Sequence, residues 1–115
     1  MKEFLLIFRR ANQNAEPNPS PEQLQAMMKP WQDWMGSIAA QNRLVNAGNR
    51  LEDDGRVLRP NHVITNGPFA ELKESIGGYI IIKAESLDQA VELSKGCPIL
   101  LANGSVEIRA LIAMD

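Results

Sequence analysis

Two segments of this chain are apolar on both sides of an extended backbone, and they limit the fold more than any other feature. In "FLLIF", residues 4–8, Phe4, Leu6 and Phe8 point one way while Leu5 and Ile7 point the other. In "GGYIIIKA", residues 77–84, Tyr79 and Ile81 oppose Ile80 and Ile82 in the same manner. A strand in an antiparallel sheet with one wet face alternates apolar and polar residues. These two do not, so both faces of their sheet are expected to be covered.

The other elements say what is there to cover them. After "RANQNAEPNPSP", an aperiodic loop, Ser20 reads as an N-cap, Pro21 takes the first helical position and Gln23 completes a capping box. Leu24, Met27, Met28, Trp31, Trp34, Met35 and Ile38 then form one stripe at helical spacing. Pro30 is expected to bend this helix, which should fade near Asn42 or Arg43. "LVNAGNRL" reads as a strand with a glycine irregularity, "EDDGR" as a turn, and "VLRPNHVIT" as the return strand of a ragged hairpin. Ser86 caps a second helix, with Gln89 closing a capping box and Gly96 at its C-terminal end. "SVEIRALIA" alternates cleanly and is the last strand.

This order is a split β-α-β pattern, a ferredoxin-like α+β domain with two main helices on one face of an antiparallel sheet. The 115 residues make a single domain, 1–115, large enough to bury a core without staples. Two helices cover one sheet face. The other needs a second apolar surface, and an identical sheet from another copy is the simplest source. A homodimer with its sheets face to face, enclosing pockets, is therefore expected.

Charge and composition exclude several roles. A net charge of -2 and a pI near 5.4 offer no basic field for phosphate backbones, so nucleic acid is not an expected partner. The five-residue apolar run before Arg9 and Arg10 is too short for a signal peptide or a membrane span, which points to the cytoplasm. The single cysteine, Cys97, fits a reducing compartment and reads as a buried filler. One histidine and one cysteine without ligand spacing leave no metal set for zinc or haem. No glycine-rich phosphate loop or dinucleotide fingerprint is present, so no cofactor is expected.

The polar residues with particular placement lie around "TNGPFAELKESIGGYIII", Thr65 to Ile82. Gly67 and Pro68 make a stiff turn and Phe69 anchors it. Glu71, Lys73 and Glu74 follow on a short ordered segment, either a polar catalytic cluster or a salt-bridge network. Gly77 and Gly78 would let a partner chain or ligand approach closely. In the last strand Glu107 and Arg109 share the face opposite Val106, Ile108 and Ala110. Arg109 there could hold a carboxylate ligand or pair with Glu71, Glu74 or Glu107. The expectation is that Glu71, Lys73, Glu74 and Arg109 converge at one mouth of the assembly.

The same stretch, with "AESLDQAVELSKGCPIL", "GSVEIRAL" and the opening "MKEFLLIF", resembles the YCII-related family in its DGPF-type branch. The likeness spans nearly the whole chain and implies a dimeric α+β barrel. It also implies a catalytic histidine–aspartate pair in some members, with the histidine on the first helix, and an association of some relatives with extracytoplasmic-function sigma factors. Two departures matter. Asn66 stands where the family motif has aspartate, and the first helix has no histidine, its "MMKPWQDWM" offering only Lys29 and Asp33 as titratable groups. Asn66 can hydrogen-bond a turn or a ligand but cannot act as a general base.

The remaining candidates have two readings each. His62 is a general base reaching a pocket or an exposed loop side chain. Trp31 and Trp34 are an aromatic ligand wall or core packing. Three functions follow from the whole: a barrel protein binding a small anionic or amphipathic ligand; a cofactor-free enzyme of lyase, isomerase or monooxygenase type using the same cavity; or an accessory protein of sigma-factor-dependent transcription.

Overall fold

A computed structural model describes residues 1–11, 20–66 and 74–113. Six strands and two helices follow in the order β1 (Lys2–Ala11), α1 (Pro21–Ala40), β2 (Leu44–Arg50), β3 (Arg56–Arg59), β4 (Val63–Asn66), β5 (Glu74–Ala84), α2 (Leu87–Ser94) and β6 (Ser105–Ala110). Four strands form one antiparallel sheet in the order β2-β5-β1-β6, the ferredoxin-like arrangement, and β3 pairs with β4 in a separate two-stranded hairpin.

The core lies on one side of the large sheet. Phe4, Leu6 and Phe8 of β1, Ile80, Ile82 and Ala84 of β5, Trp34 and Ile38 of α1, and Ala90 of α2 are all buried together. Val106 and Ile108 of β6 and Leu44 of β2 pack against them at the sheet's margins. Phe4, Leu6, Ile38, Ile80 and Ile82 are closed from solvent, each contributing about 1.5–3 kcal/mol of transfer free energy. The expected alternation of β6 holds, with its apolar set toward the helices.

Local chemistry explains both helices. Ser20 Oγ accepts from the Gln23 backbone N–H at 3.1 Å, and Gln23 Oε1 accepts from the Ser20 backbone N–H at 2.9 Å, the reciprocal box that starts α1. The helix runs unbroken through Pro30. It ends at Ala40 because Asn42 turns left-handed (φ 59°). Asn42 N–H then reaches Ala39 O at 2.9 Å and Arg43 N–H reaches Ile38 O at 3.1 Å, a Schellman closure made with asparagine.

The α2 start departs from expectation. Ser86 Oγ accepts from the Gln89 N–H at 3.1 Å, but Gln89 Oε1 bypasses the cap residue and accepts from the Glu85 N–H at 2.6 Å and from Arg43 at 3.1 Å. Nor is Gly96 needed for a left-handed angle, since Gly48 is the glycine with positive φ among the described residues. A Cβ on Gly96 would stand 3.0 Å from Trp34 Cδ1, so the position is kept small by packing. Trp34 sits there with its Nε1 donating to Leu93 O at 3.0 Å.

The central correction concerns "LVNAGNRL" and "VLRPNHVIT". They do not pair across "EDDGR". β2 joins β5 in the large sheet, and the hairpin is internal to the second segment, with Arg59 opposite Val63 across Pro60–His62. Asn61 (φ 67°) and His62 (φ 63°) both take the left-handed conformation at its tip. "EDDGR" is thus the root of an arm, fastened where Arg10 Nη2 bonds Asp53 Oδ1.

Gly48 is the irregularity the sequence announced. It lies in β2 at φ 62°, where the pairing with β5 shifts register, and Asn46 Oδ1 accepts from its N–H at 2.7 Å. A Cβ there would fall 1.6 Å from Tyr79 O. Gly48→Ala is expected to destabilise the fold by about 2 kcal/mol or more, from the left-handed angle and the clash together. Chemical denaturation measures this; an unchanged midpoint would mean that β2 does not bulge against β5.

Candidate functional site

The sheet face away from the helices holds the residues the alternation left over. Leu5 and Ile7 of β1 stand opposite Ile81 and Tyr79 of β5, and all four are half-buried. No described helix lies over them. On β6, Glu107 stands opposite Ile7 and Arg109 opposite Leu5, on this same open face. Asn46 and Asn49 of β2 oppose Ile81 and Tyr79 from the other side. The surface is an apolar centre with a charged margin along β6 and an amide margin along β2.

Arg9 organises the charged margin. Its Nε and Nη2 donate to Glu107 Oε1 at 3.2 and 3.0 Å, while Arg109 Nη1 lies 3.9 Å from Glu107 Oε2. Glu107 is thus held by Arg9 first. Arg109, with 74% of its side chain exposed, makes only the longer contact. The β6 margin thus carries two cations, Arg9 and Arg109, against one anion, Glu107, an excess of one positive charge on a chain of net -2, while Glu3 and Lys83 oppose each other at the far end of the same face. Arg9 was not among the sequence candidates. The signal was available, because β1 alternation puts it on the face of Leu5 and Ile7.

The other candidates are dispersed. Glu74 begins β5 opposite Ala11, whereas Arg109 stands opposite Leu5. Six residues of β1 separate the two pairings, about 20 Å at strand rise. The Glu74 backbone thus stands well away from that of Arg109, whose described partner is Glu107. Glu71 and Lys73, with Gly67, Pro68 and Phe69, lie outside the described residues, as does the side chain of Asn66, whose backbone ends β4 opposite Arg56.

Trp31 is on the helix side of the sheet, edge-on to Phe8 at 5.0 Å and to Trp34 at 5.9 Å. It packs behind the open face. His62 is exposed at the tip of the arm. The Gly77–Gly78 pair serves this chain's own packing: a Cβ on Gly78 would meet Asn49 O at 2.8 Å, and one on Gly77 would meet Arg10 Nε at 2.8 Å. Among the described residues no group of three or more His, Cys, Asp or Glu could hold a metal ion, and no helix is long and apolar enough to cross a membrane.

The YCII-related domain matches residues 4–115. The chain belongs to the YCII-related family. No curated protein matches it.

Cys97 stands apart from this face. It is buried beneath the turn into Pro98, and burial pushes its thiol up to about 11, against a smaller opposing effect of the backbone at Ile99. In the folded protein it should resist thiol reagents at pH 8 and react only on unfolding, which a timed labelling with and without denaturant reads directly. Since its folded pKa is raised, the same group favours folding below pH 9 and loses that contribution between about 9 and 11.

The ion pairs give a second expectation. Arg9 and Glu107 are about one-third exposed, at 32% and 37%, so solvent screening limits their pair to roughly 0.5–1 kcal/mol. Glu107→Ala should cost about that much and Arg109→Ala less than about 0.5 kcal/mol. Denaturation of both variants checks the order; a larger loss for Arg109→Ala would make it the structural partner instead.

Proposed function

We propose that this YCII-related protein binds a small anionic or amphipathic ligand on the open face of its sheet, in a pocket closed by a second copy. The observation that carries the proposal is the half-buried apolar centre of Leu5, Ile7, Tyr79 and Ile81 beside an arginine whose nearest carboxylate is already held by another. A ligand with an apolar body and one negative group matches both parts. Its body takes the place of water on the four side chains, and its anion meets Arg109, which offers a planar fork of donors suited to a carboxylate or sulfonate.

A second copy is supported by the same surface. Apolar residues on both faces of β1 and β5 are the pattern of a sheet covered twice, and the helices cover one side. An isologous pairing brings centre onto centre, with the β6 and β2 margins at the rim. The DGPF-type motif, with Asn66 in the place of its aspartate, belongs to this reading as the branch within the family. The reading is of binding, because the carboxylate next to Arg109 is engaged by Arg9, and Asn66 supplies no base.

Two variants test it. Ile81→Asp places a charge in the centre of the face and should turn a dimer in sedimentation into a folded monomer. A stable wild-type monomer at micromolar concentration would defeat the two-copy pocket. Anilinonaphthalene sulfonate, an amphipathic anion, should bind the wild type, and Arg109→Ala should weaken it about tenfold, the order of one charge-assisted contact. Equal binding by both proteins would remove Arg109 from the site.

A further inference from the structure

Two rows of side chains cross the open face from β6 to β5. Arg109 stands opposite Leu5, and Leu5 opposite Ile81; Glu107 stands opposite Ile7, and Ile7 opposite Tyr79. Each row has a charged head on β6 and two half-buried apolar side chains behind it. The two oxygens of Glu107 are used unequally. Arg9, its diagonal neighbour across the β1–β6 pairing, gives both Nε and Nη2 to Oε1. Oε2 takes no hydrogen bond among the described residues, since Arg109 Nη1 lies 3.9 Å away, near enough to attract it and too far to donate to it. Were the carboxylate to swing round and close that gap, it would lose both bonds to Arg9. The face therefore presents an unused acceptor beside an unused donor, at the head of two apolar rows.

We infer that Glu107 is a second ligand contact at this site, selecting anions that carry a hydroxyl on the carbon next to the carboxylate. The inference rests on the reading above, in which Arg109 takes the ligand's negative group, and names the ligand class: 2-hydroxy carboxylates with an apolar body. A plain carboxylate satisfies Arg109 and leaves Oε2 to water. A 2-hydroxy carboxylate offers an acceptor and a donor on adjacent carbons, side by side as Arg109 Nη1 and Glu107 Oε2 are. Two ordinary hydrogen bonds, of about 2.9 Å to the nitrogen and about 2.7 Å to the oxygen, bridge the 3.9 Å gap with both intact. Charge decides between a hydroxyl and an ammonium in that place. Arg9, Arg109 and Glu107 together carry one positive charge in excess. A singly negative hydroxy acid cancels it and a zwitterionic amino acid does not, and an unbalanced charge beside apolar surface is the costlier arrangement. The rows also set the size of the body. From β6 to β5 is two strand spacings, about 10 Å, so one aromatic ring on a short stem covers the apolar centre. Arg9 acts through Glu107 as a positioning residue, keeping that carboxylate from neutralising Arg109.

The probes are phenyllactate and phenylpropanoate, which differ only in the hydroxyl next to the carboxylate, titrated by calorimetry into the wild-type protein. Phenyllactate should bind about fivefold tighter, the order of one hydrogen bond at a partly exposed site. Phenylalanine, with an ammonium in place of the hydroxyl, should bind more weakly than phenyllactate. In Glu107→Ala the hydroxyl preference should vanish, while phenylpropanoate itself binds more tightly to the unopposed arginines. In Arg9→Gln the preference should fall and both acids should weaken, because Glu107 is released to pair with Arg109. A merely structural Arg9 would shift the denaturation midpoint and leave the preference as it was, which removes it from the inference. Equal binding of the two acids by the wild type, each weakened by Arg109→Ala, overturns the inference and leaves the ligand reading standing. A preference that survives Glu107→Ala, or tighter binding of phenylalanine, overturns it too. Binding of neither acid at millimolar concentration also overturns it, and the sulfonate titration above then shows whether the ligand reading falls with it. The wild-type comparison needs no variant, so it decides the matter even where Glu107→Ala folds poorly.

Discussion

The pairing of β1 with its two neighbours is the interaction on which the rest of this structure depends. β1 is bonded to β5 on one side and to β6 on the other, and its Leu6 is wholly buried. A strand's register is usually held by its pattern, because a slip of one residue turns apolar side chains outward. β1 is apolar on both faces, so that restraint is weak here. Shape and charge replace it. Phe8 fits opposite Gly78, and Glu3 faces Lys83 at the far end. Gly104 leaves room beside Arg9 O, which a Cβ would approach to 2.6 Å. Glycines at one end of the strand and charges at the other fix what hydrophobicity leaves free.

Much of the fold was legible because its signals are local. A Ser-Pro-Glu-Gln box starts a helix wherever it stands, and the alternation of "SVEIRA" assigns both faces of β6 from sequence alone. The route of the chain after β2 was not legible, for a physical reason. Asp53, Asp54 and Gly55 have the chemistry of a hairpin turn, and the same residues serve equally well as the root of an arm. What decides between them is β5, whose bonds to β2 are long-range and leave no mark within "LVNAGNRL". Gly77 and Gly78 show the same limit from the other side. Their smallness was plain, but whether a ligand, a partner or Arg10 and Asn49 came close depended on residues distant in sequence.

The candidate site was half legible. Glu107 and Arg109 were placed by alternation, and the structure keeps them on the open face. Arg9 was overlooked because "FRR" reads as the polar end of an apolar strand. Its bond to Glu107 changes the meaning of the margin: without Arg9, Glu107 and Arg109 would neutralise each other, and with it one positive charge is left over. Trp31 carried a double reading, and the sheet separates the two. It lies behind the face, where its contact with Phe8 stiffens the strand whose other side chains form the apolar centre.

The bulge at Gly48 has a consequence for the margins of the sheet. β2 and β6 are its two edges, and an edge strand offers unpaired backbone groups to any passing strand. At β2 that offer is spoiled: the left-handed glycine bends the strand, and Asn46 has already taken the Gly48 N–H with its own side chain. A straight, regular edge remains only at β6, and it is six residues long. Growth of the sheet into an extended ribbon needs two matching edges, one on each side. Among the described residues the four-stranded sheet offers one, so its growth by strand addition stops after a single step instead of running on into a fibre.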